Sequence, residues 1–330
     1  ILLIKSILNY IVCPVCLGDL ELDEERRANG EVIKGRLVCQ KCEHIYTIQG
    51  GIPILTPPGV KPYDWLSKEL TWALKQVNPR KAVQMIAEGK IKPKKVSCDE
   101  PVLTQEELEE GEYKDSENFL RDRFGSIKGA REHFRRRLNE NRKFFDMMIR
   151  MGMLDKSDVI LDVGTGYGYM LQYLAEHLKS TRIFSIDISY TNLKAVRGRF
   201  RIFGIERDIH LVAADALHSP FRNDQFDAVE SWAGYGNIVG FSGLFSEAYR
   251  ILRNQGWFVT DVVEGLESVD RDLRILIKTV GEEFFIRNFR RLGLIPRKDE
   301  IVEAMKGCGF RKISSKKINS THIIWGQKTV

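Results

Sequence analysis

Ten residues, Val159-Ile-Leu-Asp-Val-Gly-Thr-Gly-Tyr-Gly168, restrict the fold of this chain more than any other feature. An apolar run ends in an acid and passes into a loop with glycines at 164, 166 and 168, and a helical pattern follows to about Lys179. Strands that alternate with helices in this way imply a parallel sheet. The glycines allow a sharp turn and leave bare backbone against which a ligand can lie. A dinucleotide loop of standard spacing needs its third glycine at position 169. That position is Tyr169, which argues against a nicotinamide or flavin carrier.

Further segments follow in a consistent order. Ile183-Phe-Ser-Ile-Asp187 is a second apolar strand ending in an acid, and a carboxylate there can accept both hydroxyls of a ribose. Leu211-Val-Ala-Ala-Asp215-Ala216 reads as a third, and Phe226-Asp-Ala-Val-Glu-Ser231 as a fourth. Glu247 to Gly256 reads as a helix closing in a turn before the strand Trp257 to Val262. The helix from Ser189 to Phe203 is expected to show a solvated basic outer face of Lys194, Arg197, Arg199 and Arg201.

Four of the six cysteines form two hooks, Cys13-Pro-Val-Cys16 and Cys39-Gln-Lys-Cys42. Each hook can bring two thiolates onto one edge of an ion, and two hooks complete a tetrahedron around zinc. The residues from Leu17 to Val38 alternate as a hairpin arm with Ala28-Asn29-Gly30 at its turn. An arm this small cannot bury enough surface alone, so the metal is expected to supply folding energy rather than chemistry. Cys98 and Cys308 are expected to be packing residues.

Two resemblances arise from these residues. The hydrophobic lead into Cys13-Pro-Val-Cys16, with the ending Gly51-Ile-Pro-Ile-Leu55, resembles the Trm112-like zinc-ribbon family over residues 7–56. In its best-known members that domain binds and activates methyltransferases that modify translation components. Residues from about 150 to 330 resemble the class I S-adenosylmethionine-dependent methyltransferases, with the quinone-biosynthesis enzymes as the closest-looking branch. The resemblance implies a Rossmann-like α/β sheet, doubly wound, with an antiparallel strand near the C-terminus. It also implies that Gly164, Thr165, Gly166 and Gly168 line the methionine and sugar, with Asp162 near the methionine end. Asp187, followed by Ile188, would take the ribose hydroxyls; Asp215 would meet the adenine amino group with Ala216 beside the ring. Ser231 and Trp232 would border the transferred methyl.

Three parts are therefore expected: a zinc ribbon over 1–60, a helical connector or cap over 61–150, and a methyltransferase domain over 151–330. The boundary near 56–62 is Thr-Pro-Pro-Gly-Val-Lys-Pro, which continues neither helix nor ladder. Within the connector, Phe119, Phe124, Phe134, Leu138, Phe144, Phe145 and Met148 are candidate buried positions on helical spacing. Arg121 to Lys143 holds nine basic residues against three acidic ones, a local charge of +6, while the whole chain carries 51 basic and 45 acidic residues. So mild an overall excess permits an anionic partner without demanding one. The apolar stretch Ile1 to Val12 is broken by Lys5 and Asn9, lacks a small-residue cleavage site, and is read as packed structure rather than a signal peptide. A cytoplasmic enzyme with no membrane span is expected.

Methyl transfer from a sulfonium is an in-line displacement that depends on alignment and water exclusion, with a base needed only for a protonated nucleophile. Candidate bases are Tyr235 and Glu264; candidate substrate contacts are Trp232, Asn237 and Asp261. No cysteine lies between 98 and 308, which disfavours a 5-methylpyrimidine mechanism. The stretch Glu230-Ser-Trp-Ala-Gly-Tyr-Gly-Asn237 lacks the Pro-Pro-aromatic motif of many amine and amide methyltransferases. The leading expectation is methylation of RNA or a translation-associated protein. The alternatives are a small-molecule methyltransferase and a non-catalytic S-adenosylmethionine-binding scaffold.

Overall fold

The computed structural model describes residues 7–28, 30–60, 70, 72–88, 90, 117, 118, 120–122, 124–205, 207, 209–234, 241–263, 271–289, 297–319 and 321–329. Its centre is a set of strands buried except at Arg182, Ile209 and Asp227, which therefore read largely as apolar runs: β5 (Val159–Val163), β6 (Arg182–Asp187), β7 (Ile209–Ala214) and β8 (Phe226–Ser231). These pair in parallel in the order β7-β6-β5-β8, and β9 (Leu252–Val263) extends the parallel run beside β8. The last two strands, β10 (Arg311–Ile318) and β11 (Thr321–Gln327), close that side antiparallel, with β11 between β9 and β10. The antiparallel C-terminal element is thus present where the sequence reading expects it.

The ribbon is continuous with this sheet. Strands β1 (Leu20–Ala28) and β2 (Glu31–Cys39) form the expected hairpin, pairing from Leu20 with Cys39 to Ala28 with Glu31. Strands β3 (Ile45–Gln49) and β4 (Ile52–Leu55) continue it, and β4 pairs in parallel with β7, Ile54 opposite Ala213 and Leu55 opposite Ala214. The result is one eleven-stranded sheet, β1-β2-β3-β4-β7-β6-β5-β8-β9-β11-β10. The cores merge as well: Leu37, Tyr46, Ile48 and Leu55 lie in one apolar cluster with Val212, Ala214 and Phe221. The N-terminal segment is pinned to the same place, Val12 donating its amide to Pro220 O at 2.8 Å and Arg222 donating to Tyr10 O at 2.8 Å. Burying these apolar groups in a shared core supplies surface that the ribbon alone lacks.

The described parts of the connector serve two places. Helix α1 (Pro79–Ala87) starts with Asn78 accepting from the Lys81 amide. It packs Ala82, Val83 and Ile86 against helices α6 (Arg271–Val280) and α7 (Glu282–Phe289), with Arg80 donating to Val280 O at 2.7 Å. Helix α2 (Ile127–Met151) is capped by Ser126, whose hydroxyl accepts from the Gly129 amide at 2.9 Å. It buries Phe134, Leu138, Phe145 and Met148 as read from their spacing; Phe124 and Phe144 are half-buried, and Phe119 lies outside the described residues. Its stripe packs on the sheet face that also carries α3 (Tyr169–His177) and α4 (Tyr190–Phe203). Helices α5 (Phe241–Ile251) and α8 (Lys298–Gly307) cover the opposite face. Among the described residues no helix is long and apolar enough to cross a membrane.

One expectation fails in α4. Arg199 is 3% exposed, not part of a solvated face. Its guanidinium donates to the carbonyls of Tyr167 and Gly168 and lies 3.9 Å from the centre of the Phe134 ring. Helical spacing alone cannot foresee this, because the carbonyls that draw the guanidinium inward belong to the glycine loop and the ring to α2. Arg197 likewise turns to the ribbon, donating to Gly50 O.

The helix expected to run to Gly256 ends at Ile251, and the expected turn is instead a bulge inside β9: pairing with β8 jumps from Phe226–Leu252 to Ala228–Trp257, and Gln255 sits in the left-handed region at φ 68°. A side chain there costs about 1–2 kcal/mol that glycine avoids, less the extra entropy glycine loses on folding. Gln255→Gly is therefore expected to stabilise the protein by about 0.5–1 kcal/mol, seen as a higher midpoint in urea denaturation.

Candidate active site and metal centre

The chain runs outward from β5 to β6 and β7, then crosses back to place β8 on the other side of β5. Beyond the carboxyl ends of two strands at such a reversal there is a crevice, the usual ligand position in open α/β sheets. Two loops border it here. One is Gly164–Gly168, all three of whose glycines have positive φ. At Gly168, a Cβ would lie 2.9 Å from Val196 Cγ2, so only bare backbone fits between the loop and α4. The other loop follows β8 and approaches the first: the place of a Cβ on Gly164 is 3.7 Å from Gly234 Cα.

The predicted acids fall along this edge. Asp162, 2% exposed, accepts hydrogen bonds from Thr165 Oγ1 at 3.0 Å and Ser185 Oγ at 2.5 Å. The Thr165 amide also donates to Ile186 O at 3.2 Å, so the loop is tied to both neighbouring strands. Asp187 accepts the Gly166 amide at 2.8 Å on one oxygen and the Ser189 amide at 2.8 Å on the other. Burial raises its pKa above the ordinary value, against the pull of those amides. Ile188 is half-buried beside it. At the end of β7, Asp215 accepts from the Leu217 amide at 3.0 Å and meets His218 Nδ1 at 2.6 Å, capping the short turn that contains Ala216. His218 is exposed, as its position in a turn suggests.

Past β8, Ser231 is fully buried and donates to Val163 O at 2.9 Å, which locks the two loops together. Trp232 packs edge-to-face on Phe145 of α2, with ring centres 5.0 Å apart, and lies 6.3 Å from Tyr169 of α3. Asp261 on β9 is 4% exposed and accepts the Ala233 amide at 2.6 Å; burial pushes its carboxyl up to about 7. Tyr235, Asn237 and Glu264 lie outside the described residues.

Two residues of this site were not singled out as such from the sequence. Arg199 holds the carbonyls at the end of the glycine loop, and burial pushes its guanidinium down to about 9. Glu230 is fully buried, sits opposite Asp162 in the register of β5 and β8, and meets the Asp162 carboxyl, while no N–H or O–H among the described residues donates to either of its oxygens. Burial, with Asp162 and Asp261 nearby, pushes its carboxyl well above the usual range. The one available signal was an acid inside the otherwise apolar part of the run Phe226–Ser231.

The four hook cysteines converge, all four sulfurs lying within 4.8 Å of one another. Cys13 and Cys42 are 3.7 Å apart and Cys16 and Cys39 3.4 Å, against about 3.8 Å for the edge of a tetrahedron with 2.3 Å zinc–sulfur bonds. Burial would raise the Cys39 thiol, but the amides of Cys42 and Lys41 at 3.5 and 3.4 Å bring it below its ordinary value, toward the thiolate a metal needs. The Tyr46 hydroxyl lies 3.1 Å from Cys13 Sγ, where it can donate to a bound thiolate. The donor set fits zinc and leaves no open coordination position. Cys308 is half-buried beside Ser246, as a packing residue; Cys98 lies outside the described residues.

Comparison with known proteins agrees with this layout. The family described as methyltransferase domain matches residues 160–256, and the family described as Trm112p-like protein matches residues 5–51. A malonyl-[acyl-carrier protein] O-methyltransferase of Marinomonas sp. is 31% identical over 34% of this chain and 41% of its own length. A demethylmenaquinone methyltransferase of Corynebacterium urealyticum is 26% identical over 48% of this chain and 70% of its own. The chain thus spans less than half of the first of these relatives. A solved structure of Haemonchus contortus phosphoethanolamine N-methyltransferase 2 with S-adenosyl-L-methionine aligns at 16% identity, TM-score 0.47, over 87% of this chain and 64% of that one. The chain joins a methyltransferase domain to an N-terminal Trm112p-like domain in one polypeptide.

Proposed function

We propose that this protein transfers a methyl group from S-adenosylmethionine to a small acceptor, with its ribbon held by structural zinc. The observation that carries the reading is the bare-backbone loop Gly164–Gly168 at the sheet reversal, flanked by Asp162 and Asp187. In this reading Gly164, Thr165, Gly166 and Gly168 take the methionine and sugar, and Asp162 fixes the loop near the methionine end. Asp187, with Ile188 beside it, takes the ribose hydroxyls on the lone pairs its two backbone amides leave free. Asp215 and Ala216 meet the adenine, and Ser231 and Trp232 border the methyl. The cofactor supplies an electrophilic methyl on a positively charged sulfur. The chain supplies alignment and exclusion of water. Asn237 and Asp261 remain substrate contacts and Tyr235 and Glu264 remain bases in this proposal.

Two observations favour a small acceptor over RNA or a translation protein. Trp232 and Tyr169, both half-buried, give an aromatic border beside the crevice with Phe145 packed behind the indole, suited to an apolar or ring-bearing molecule. The basic face of α2 is also threaded with acids: Arg137 pairs with Glu140 at 3.1 Å, Arg136 with Glu140 at 3.8 Å and Arg142 with Asp146 at 3.8 Å. The macromolecular reading retains one support, the Trm112p-like domain itself. Free thiols at the ribbon fit a reducing setting such as the cytoplasm.

Incubation with radiolabelled donor and cell extract, split into metabolite, RNA and protein fractions, is expected to label metabolites; label confined to RNA or protein reverses the choice of acceptor. Asp187→Ala is expected to weaken donor binding by about 1.5–3 kcal/mol, measured by calorimetry. Freshly purified protein is expected to hold about one zinc per chain by elemental analysis, and Cys39→Ser to lose it with a lowered melting temperature.

A further inference from the structure

Glu230 lies where three carboxyl groups share one face of the sheet. Directly paired residues of parallel strands project to the same side, and side chains return to that side every second residue. Glu230 is paired with Asp162 on β5 and with Val259 on β9, and Asp261 is two residues beyond Val259. All three are buried, and all three stand near the carboxyl ends of their strands. Asp162 holds the hydroxyls of Thr165 and Ser185, and Asp261 holds the Ala233 amide. Glu230 receives no N–H or O–H from the described residues and faces the carboxyl of Asp162, with which it can share a hydrogen bond only while one of the two is protonated.

No cation among the described residues offsets this cluster. The covering helices α2 and α3 share a core with Ile160, Ala228 and Val259 through Phe145, Met148, Met170 and Leu171. Their charged groups are engaged elsewhere: Asp146 with Tyr173 and Arg142, and Glu176 with Gln172. Arg199 is turned to the carbonyls of Tyr167 and Gly168. Like charges this close and this dry do not all ionise, and the group with no donor keeps its proton. A ligand bearing a fixed positive charge changes that balance.

We propose that Glu230 makes the crevice read the charge of its ligand, holding a proton when the crevice is empty or contains an uncharged thioether and releasing it to solvent when a sulfonium binds. This rests on the donor assignment above, and it makes Glu230 a specificity-determining residue that favours donor over spent product. S-adenosylmethionine carries one positive charge more than S-adenosylhomocysteine, while the two share ribose, adenine and amino-acid contacts. Donor binding therefore releases a proton that product binding does not. Once the sulfur is neutral, Glu230 regains a proton from solvent and the attraction is gone. The preference for donor over product rises with pH, approaching tenfold per unit where Glu230 is protonated in the empty protein and ionised in the complex.

Calorimetric titration of the full chain with each ligand, in buffers of different ionisation enthalpy, measures the protons exchanged. The donor is expected to release close to one proton near neutral pH and the thioether distinctly fewer. In Glu230→Gln that release and the pH dependence of the affinity ratio are lost, while thioether affinity stays within about threefold, since its hydrogen-bonded contacts are untouched. Asp261, which burial pushes up to about 7, is a second candidate source of the released proton, so Asp261→Asn is measured alongside. Release that survives in Glu230→Gln and vanishes in Asp261→Asn overturns the proposal. In the unaltered protein, infrared difference spectra are expected to show a protonated carboxyl band that donor removes and thioether leaves; a band insensitive to donor also overturns it. Binding of both ligands with equal proton exchange overturns this proposal alone, whereas failure of both to bind overturns the donor assignment and this proposal with it.

Discussion

The parallel pairing of Ile54 and Leu55 with Ala213 and Ala214 is the contact on which the rest of this architecture depends. It converts two small sheets into one, and it satisfies backbone groups that each would otherwise leave open at an edge. The residue that follows Ala214 is Asp215. Only β3 and β4 thus separate the cysteine-bearing hairpin from the strand that leads to the far end of the crevice. Arg197, reaching from α4 to Gly50 O, adds a second tie between the same parts.

The crevice itself follows from strand order. Because the chain leaves β5 in one direction and returns to β8 in the other, the carboxyl ends of these two strands lie side by side with their loops parted. Ser231 donating to Val163 O and the Thr165 amide donating to Ile186 O then fix how far the loops part. The second tier is α2 and α4: Phe134 supports Arg199, and Arg199 holds Gly168. A helix from the connector therefore contributes to the shape of the loop that the sequence marks most clearly.

What the sequence reveals is what neighbouring residues decide. The glycine loop, the acids closing β5, β6 and β7, and the two cysteine hooks depend on spacings of a few residues, and each stands where its spacing implies. Arg199 and Glu230 are different. An arginine in an amphipathic helix is normally solvated, and an acid near a strand end is normally capped or exposed; here both are buried by partners from remote segments. The union of β4 with β7 is also invisible locally, since the paired residues are separated by nearly half of the chain. The aromatic stripe of α2 was legible as a stripe, but its placement beside Trp232 depends on the sheet it covers.

The merged sheet has a cost when the four-cysteine cluster is empty. If the hairpin loosens, the end of β7 at Ala213 and Ala214 loses its partner, and its amides and carbonyls face water beside an apolar run. Such a border is a template for strands of other molecules. Depletion of the ion would then bring self-association of the chains together with loss of the brace, and the cysteine cluster doubles as a guard against clumping.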